Sequence, residues 1–422
     1  MQTILHNCCG MDVHKNSVVA CIIKSDPSKP PVNVKDEVSK EIKMFGTFPD
    51  DLAQLRAWLE SEGCKHVAME STGVYWQPIY EALEGAHGGE IDIKVVNARH
   101  MKNVPGKKTD IKDSEWIARL LRAGLLSGSL MPPQDVRELR QLTRYRKNIV
   151  QDVGAQKNRI EKTLQQAGFK LSTFLTDIFG VSGRNLMRVL IKQGRIFPSD
   201  VESETKSISK EKRAEIKRAI NGQLTKKQRH FLQLQVAMLD GLLGHLEEIE
   251  KSIAALSEKW EDDIERLDTI PGIATASATA IIGEIGIDMG KFPTAEHFCS
   301  WAGLAPGDNM SAGKKKSARI TFGNPYVKGL ICERAWAAVR VRDSYLSKFF
   351  WKTKQRRGSK KAIVALARKI LVIVYNLLKH GDVYREEKFE IAKQKQESAR
   401  INKLALDAKK LDFKIVRDEQ VA

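Results

Sequence analysis

Between Cys9 and Leu126 the chain alternates strand-length apolar runs with helix-length patterns, and that order restricts its architecture more than any other feature. Apolar-polar alternation at Cys9–Val13, Ser17–Lys24 and Glu41–Phe48 predicts three antiparallel strands. A helical pattern over Asp50–Glu62 follows, then a strand at His66–Glu70, a helix at Tyr75–Glu84, a strand at Ile91–Val96 and a helix at Asp110–Leu126. The order β-β-β-α-β-α-β-α predicts an α/β domain over residues 1–130, a mixed sheet with helices packed on its faces. Pro132-Pro133 ends the pattern, because proline removes a donor and disfavours helix at the preceding residue.

The remainder reads as helical. Val136 to Gly168 has few helix breakers, and Leu139, Leu142, Ile149, Val153 and Ile160 fall near heptad spacing. Lys226 to Leu267 carries Leu232, Val236, Leu239, Leu243, Leu246, Ile249 and Ile253 at steps of three or four. The two predict a long antiparallel coiled coil over 131–267, interrupted by a basic helical insert at about 181–225. A third, mainly helical region at 268–345 opens on Ile270-Pro271-Gly272-Ile273. Basic helices and a tail, 346–422, complete the chain, with a helix at Lys360–His380 and a charged stretch from Arg385 read as partly disordered. A length of 422 residues agrees with several domains, since it exceeds what one core serves.

Charge narrows the partners. Seventy basic against 52 acidic residues leave +18, which favours a polyanion. A membrane fits poorly: the longest apolar run, Ala362–Leu378, is interrupted by Arg368 and Lys369. Met1–Met11 has neither a basic n-region nor a continuous apolar core, so a cytoplasmic location is expected. Cys8, Cys9, Cys21, Cys64, Cys299 and Cys332 lack paired metal-ligand spacing and read as reduced core residues.

Four acids stand where chemistry can use them. Asp12 ends the first strand within Gly10-Met11-Asp12-Val13-His14-Lys15, and Glu70 ends a later one. Asp110 and Asp113 open a helix at i and i+3, on one face. Taken singly each has an ordinary explanation: a turn residue for Asp12, a helix cap for Glu70, dipole compensation for Asp110 and Asp113. Taken together they are hard oxygen ligands on rigid elements, the set a divalent cation needs, with Mg2+ expected and Mn2+ as its substitute. Two such ions activate and stabilise oxygens in phosphodiester chemistry. Arg99, His100, Lys102, Lys107 and Lys108 precede the helix and read as a phosphate-facing loop or an ordinary solvated one.

Further along, Asn309-Met310-Ser311-Ala312-Gly313-Lys314-Lys315-Lys316 is a basic loop with a lone serine, by composition a phosphate-binding loop. Lys314, Lys315, Lys316 and Arg319 make one basic patch, and Arg356, Arg357, Lys360 and Lys361 another, suited to salt-sensitive phosphate contacts. Ile270-Pro271-Gly272-Ile273-Ala274 is similar to a helix-hairpin-helix turn, whose amides bind a phosphate, although Ala274 stands where that motif often has glycine; a plain interhelical turn is the alternative.

Gly-Met-Asp-Val-His-Lys, Ala-Met-Glu-Ser-Thr-Gly-Val-Tyr-Trp and Lys-Thr-Asp-Ile-Lys-Asp-Ser-Glu-Trp-Ile-Ala resemble the DEDD-type transposases of bacterial insertion sequences. Leu267–Gly272, Phe298–Pro306 and Ser311–Lys314 resemble the second domain of that family. The resemblance implies a RuvC-like domain of RNase H fold, a coiled coil and a C-terminal transposase domain. It implies a DNA recombinase whose metal ligands are Asp12, Glu70, Asp110 and Asp113, and whose nucleophile is Ser311, linked covalently to DNA as a phosphoserine. Ser317 is the second candidate, because Met310 replaces the family's usual small residue before the serine. Donor and target DNA, a bridge RNA, a dimer or tetramer with a composite site and a nucleoid-associated location are implied too. Two other readings stay open: a metal-dependent nuclease that uses water, and a nucleic-acid scaffold without catalysis.

Overall fold

The computed structural model describes residues 4–25, 39–85, 89, 91–97, 110–126, 128–307, 309–311, 314–317, 320, 322–387, 389, 398, 401–402, 404–408 and 410; for 110–111, 309–311 and 314–317 it describes the backbone alone. The chain divides into two compact units, Met1–Met131 and Pro132–Ala422.

The first unit is built on five strands, β1 (Asn7–Val13), β2 (Val18–Lys24), β3 (Ser39–Phe45), β4 (His66–Glu70) and β5 (Asp92–Val96), in the order β3-β2-β1-β4-β5. β1–β2 and β2–β3 pair antiparallel, whereas β1–β4 and β4–β5 pair parallel, which makes the sheet mixed as the element order predicts. β3 is an exposed edge carrying Lys40, Glu41 and Lys43, charges that discourage pairing with another chain.

Period-two alternation divides β1 between two cores. Cys9, Met11 and Val13 pack with Leu52, Leu55 and Leu59 of α1 (Pro49–Ser61) and with Ile79 and Leu83 of α2 (Trp76–Leu83). On the opposite face, Cys8, Ala68 and Val96 pack with Ile117, Leu120 and Leu121 of α3 (Asp110–Arg122). All six cysteines are free, and all but Cys332 are fully buried, as the sequence predicts.

The second unit is mainly helical. Two long helices, α4 (Gln134–Gln166) and α8 (Lys226–Ser257), run antiparallel: Gln156 donates to the Gln235 carbonyl at 2.8 Å, and Arg146 meets Glu250 at 2.9 Å. Between them the insert folds as α5 (Val181–Gln193), α6 (Pro198–Glu204) and α7 (Lys210–Ile216). The pattern that predicts one helix over Lys226–Leu267 is broken: α8 stops at Ser257, a single turn of tighter helix follows, and α9 (Glu261–Asp268) starts afresh. Glu261, Asp262 and Asp263 favour a new N-terminus there, and buried Trp260 anchors the corner.

Then come α10 (Thr275–Ile285), α11 (Ala295–Trp301), the two-stranded β6 (Asn309–Ser311) and β7 (Lys314–Ser317), α12 (Pro325–Arg340), α13 (Tyr345–Arg357) and α14 (Ser359–His380). Arg144 grips Glu284 through two hydrogen bonds of 2.6 and 2.8 Å, while Arg140 donates to the Gly283 and Glu284 carbonyls at the end of α10. These contacts tie α4 to α10. Among the described residues no helix is long and apolar enough to cross a membrane.

Candidate active site

Asp12 is 6% exposed and paired with Val19 inside the β1–β2 ladder, so it belongs to the strand and not to the hairpin turn that follows. His14 Nε2 lies 3.3 Å from its Oδ2. The parallel register that sets Met11 beside Met69 brings Asp12 next to Glu70 at the C-terminal ends of adjacent strands. Glu70 does not cap the next helix, because α2 starts at Trp76 behind Tyr75, with no side-chain cap.

Both carboxylates also share a face. Cys8, Gly10 and Asp12 alternate away from the α1–α2 core, as do Ala68 and Glu70, and that puts them on the side covered by α3. The helix lies close and runs opposite to the strand. Ile4 and Leu5 donate to the Arg122 carbonyl at 2.9 and 3.2 Å, and the Cys8 thiol reaches the Ala118 carbonyl at 3.5 Å. At Gly10 a Cβ would stand 2.2 Å from the Ala118 nitrogen and 2.3 Å from the Ser114 oxygen. Continued toward Asp12, that path leads to the first turn of α3, where the chain carries Asp110 and Asp113.

Asp113 is half-buried, and the side chain of Asp110 lies outside the described residues. No group of three or more His, Cys, Asp or Glu that could hold a metal ion occurs among the described residues. Glu115, in the same motif, is engaged elsewhere: Arg119 donates to it at 2.9 and 2.7 Å and Lys40 at 3.1 Å. Burial raises its carboxyl's pKa, but these cations overcome the effect and hold it below the usual range. The basic loop with Arg99, His100, Lys102, Lys107 and Lys108 lies outside the described residues.

In the second unit Ser311 is the last residue of β6, directly opposite Lys314, and Lys315 pairs with Met310. Ser317 lies at the far end of β7, opposite Asn309. A bridge between Pro306 and Ile320 closes the base of the hairpin. Below it, a Cβ on Gly323 would fall 2.1 Å from the Gly303 nitrogen, and Asn324 donates to the Trp301 carbonyl at 3.1 Å while its side chain caps α12. The Lys316 side chain and Arg319 are outside the described residues.

Gly272 has φ +89°, and its open side is filled by α12: a Cβ would meet the Ala338 nitrogen at 2.4 Å. That close approach accounts for the glycine without any phosphate. Arg356 and Arg357 are exposed at the end of α13. Gly10 and Gly323 carry only weak signals in the sequence, a glycine inside a strand pattern and one just before a helix cap.

A mixed sheet with acids at the ends of adjacent parallel strands, joined in sequence to a helical unit in a chain of charge +18, is the build of a class of protein suited to polyanions. Family models narrow that class. A DEDD transposase model of the IS110 type matches residues 9–169, and a model for transposases of the IS116/IS110/IS902 family matches 264–350. Together these span more than half of the chain, which belongs to the IS110-type family of insertion-sequence transposases.

Relatives agree. The transposase for insertion sequence element IS1111A of Coxiella burnetii is 26% identical over 322 residues, 73% of this chain and 79% of that one. An insertion element IS110 protein of Streptomyces coelicolor is 27% identical over 121 residues, 28% of this chain and 29% of the other. Among solved structures, Thermus thermophilus RuvC covers 29% of this chain and 99% of its own at 10% identity, with a TM-score of 0.22.

Proposed function

We propose that the chain cuts and rejoins DNA as the transposase of a mobile insertion sequence, using an acidic metal site in a RuvC-like unit and Ser311 as nucleophile. The observation that supports this reading best is the placement of Asp12 and Glu70 on the α3 face of adjacent strands, at the level of the α3 first turn. The expected ligands, Asp12, Glu70, Asp110 and Asp113, are all carboxylates on rigid elements, a donor set that fits Mg2+ or Mn2+. When bound, the cation supplies positive charge that stabilises the oxygens of a scissile phosphate.

The chain's own residues do the rest. The strand ends hold the carboxylates in place, and His14 Nε2 stands 3.3 Å from Asp12 Oδ2. Ser311 Oγ forms a bond to phosphorus as the bond to the leaving deoxyribose oxygen breaks, and the serine proton ends on that oxygen. A hydroxyl from a second strand then reverses the exchange, so bond energy is conserved and no external energy source is needed. Lys314, Lys315, Lys316 and Arg319 neutralise the backbone beside the serine, while Lys102, Lys107, Lys108, Arg356 and Arg357 hold phosphates elsewhere.

Following the family resemblance, we assign the active form to a homo-oligomer, a dimer or tetramer. α4 and α8 are its coiled coil, within domain limits near residues 130, 267 and 345, and a bridge RNA selects the DNA. The test is incubation with Mg2+, co-purified RNA and labelled element DNA, followed by denaturing electrophoresis. A covalent protein–DNA adduct is expected, and Ser311→Ala abolishes it together with strand exchange. Full-rate cleavage by Ser311→Ala without any adduct would instead establish a nuclease that uses water.

A further inference from the structure

From Ser344 to His380 the chain contains no acidic residue and ten lysines and arginines, a one-sign stretch that forms α13 and α14. The buried side of α13 carries Leu346, Ser347 and Phe350. Its exposed side carries Lys348, Trp351, Lys352, Gln355 and Arg356, at steps of three and four.

A tryptophan in the middle of such a face is unusual, since burying its ring is worth far more than hydrating it. Trp351 is nevertheless 50% exposed, and Trp336 on neighbouring α12 is 46% exposed. Buried Phe350 joins the two, with its ring centroid 5.6 Å from Trp336 and 5.4 Å from Trp351. The Lys354 ammonium stands over the Trp351 ring at 4.3 Å. Arg340 follows Trp336 by one turn, and the acid one turn before it, Glu333, is taken up by Lys147 at 2.8 Å.

From a half-exposed indole set among the cations of a helix face that has no acid, with a second half-exposed indole on the other side of a shared phenylalanine contact, we propose that Trp351 is a stacking platform for unpaired bases of a single DNA strand, whose phosphates are held by Lys348, Lys352 and Arg356. Cations alone attract any polyanion, but an indole gains only from a base whose face is open, and in a duplex those faces are covered. The inference rests on the reading of the chain as a DNA strand-exchange protein, because cut strands must leave one duplex before entering another.

The test uses the full-length chain and fluorescence anisotropy with labelled oligothymidylate, a duplex of equal length and oligouridylate. Trp351→Ala is expected to weaken oligothymidylate binding about 10-fold while duplex affinity changes less than about twofold, and Trp351→Phe, which keeps a ring, retains most of the binding. Wild-type fluorescence from tryptophan should be quenched by oligothymidylate and not by the duplex. Equal losses on both DNA probes, or no loss on the single strand, would overturn the platform. About 10-fold tighter binding of oligouridylate would overturn its assignment to DNA. Wild-type protein that binds neither DNA probe would refute the strand-exchange reading as well; duplex binding with an inert Trp351 refutes the platform alone.

Discussion

At Gly10 a single methyl group would enter space already held by the backbone of α3, 2.2 Å from the Ala118 nitrogen. Backbone cannot swing aside as a side chain can, so Gly10→Ala must push the helix off the strand, at a cost of about 3 kcal/mol. The expected outcome is a lowered midpoint in urea and loss of metal-dependent DNA cleavage, both measurable on purified protein; wild-type values for both would mean that the helix does not need this approach. Burial acts on the thiols of the same sheet. It pushes Cys8 and Cys64 from 9.0 up to about 12. Since the folded state holds these protons more tightly, the associated stability is complete below pH 9.0 and is lost as pH climbs toward about 12. With a thiol-reactive disulfide reagent at about pH 8, Cys332 should react first and Cys8 and Cys64 only as the protein unfolds. Prompt labelling of Cys8 would contradict that.

Elements of the first unit are legible because their alternation is local: β1, β2, β4 and β5 and the helices between them lie within a few residues of the patterns at Cys9–Val13, Ser17–Lys24, His66–Glu70 and Ile91–Val96. The break at Ser257 was hidden because the apolar steps of α8 continue through Ile264 and Leu267, and only the acids at 261–263 mark a fresh start. Contacts between elements are less legible still. Nothing local pairs Arg144 with Glu284, whose side chain is 5% exposed in the second unit. Arg144→Ala leaves that carboxylate buried and without its two-pronged partner, so a loss of about 3–5 kcal/mol is expected. Chemical denaturation of Arg144→Ala and of Arg144→Ala/Glu284→Leu measures it: the double variant should recover most of the loss, and no recovery would show that packing, not charge, holds α4 to α10.

For the molecule as a whole, the candidate site is legible in part. Asp12 and Glu70 could be picked out because acids are depleted in strands, and the register that sets Met11 beside Met69 puts them at neighbouring strand ends. Gly10 was not legible as the contact that brings α3 to them, since a strand glycine has several ordinary uses. The charge of +18 announced a polyanion without saying which; family membership makes it DNA. The central claim is that the acids at the ends of β1 and β4 are where DNA is cut. It is tested most directly by following Mg2+-dependent cleavage of labelled element DNA by Asp12→Asn alongside a binding measurement on the same preparation. Loss of cleavage by at least about 100-fold with DNA affinity kept within about twofold is the predicted result, on the scale of removing one preorganised group from a catalytic site. Cleavage at the wild-type rate would contradict it.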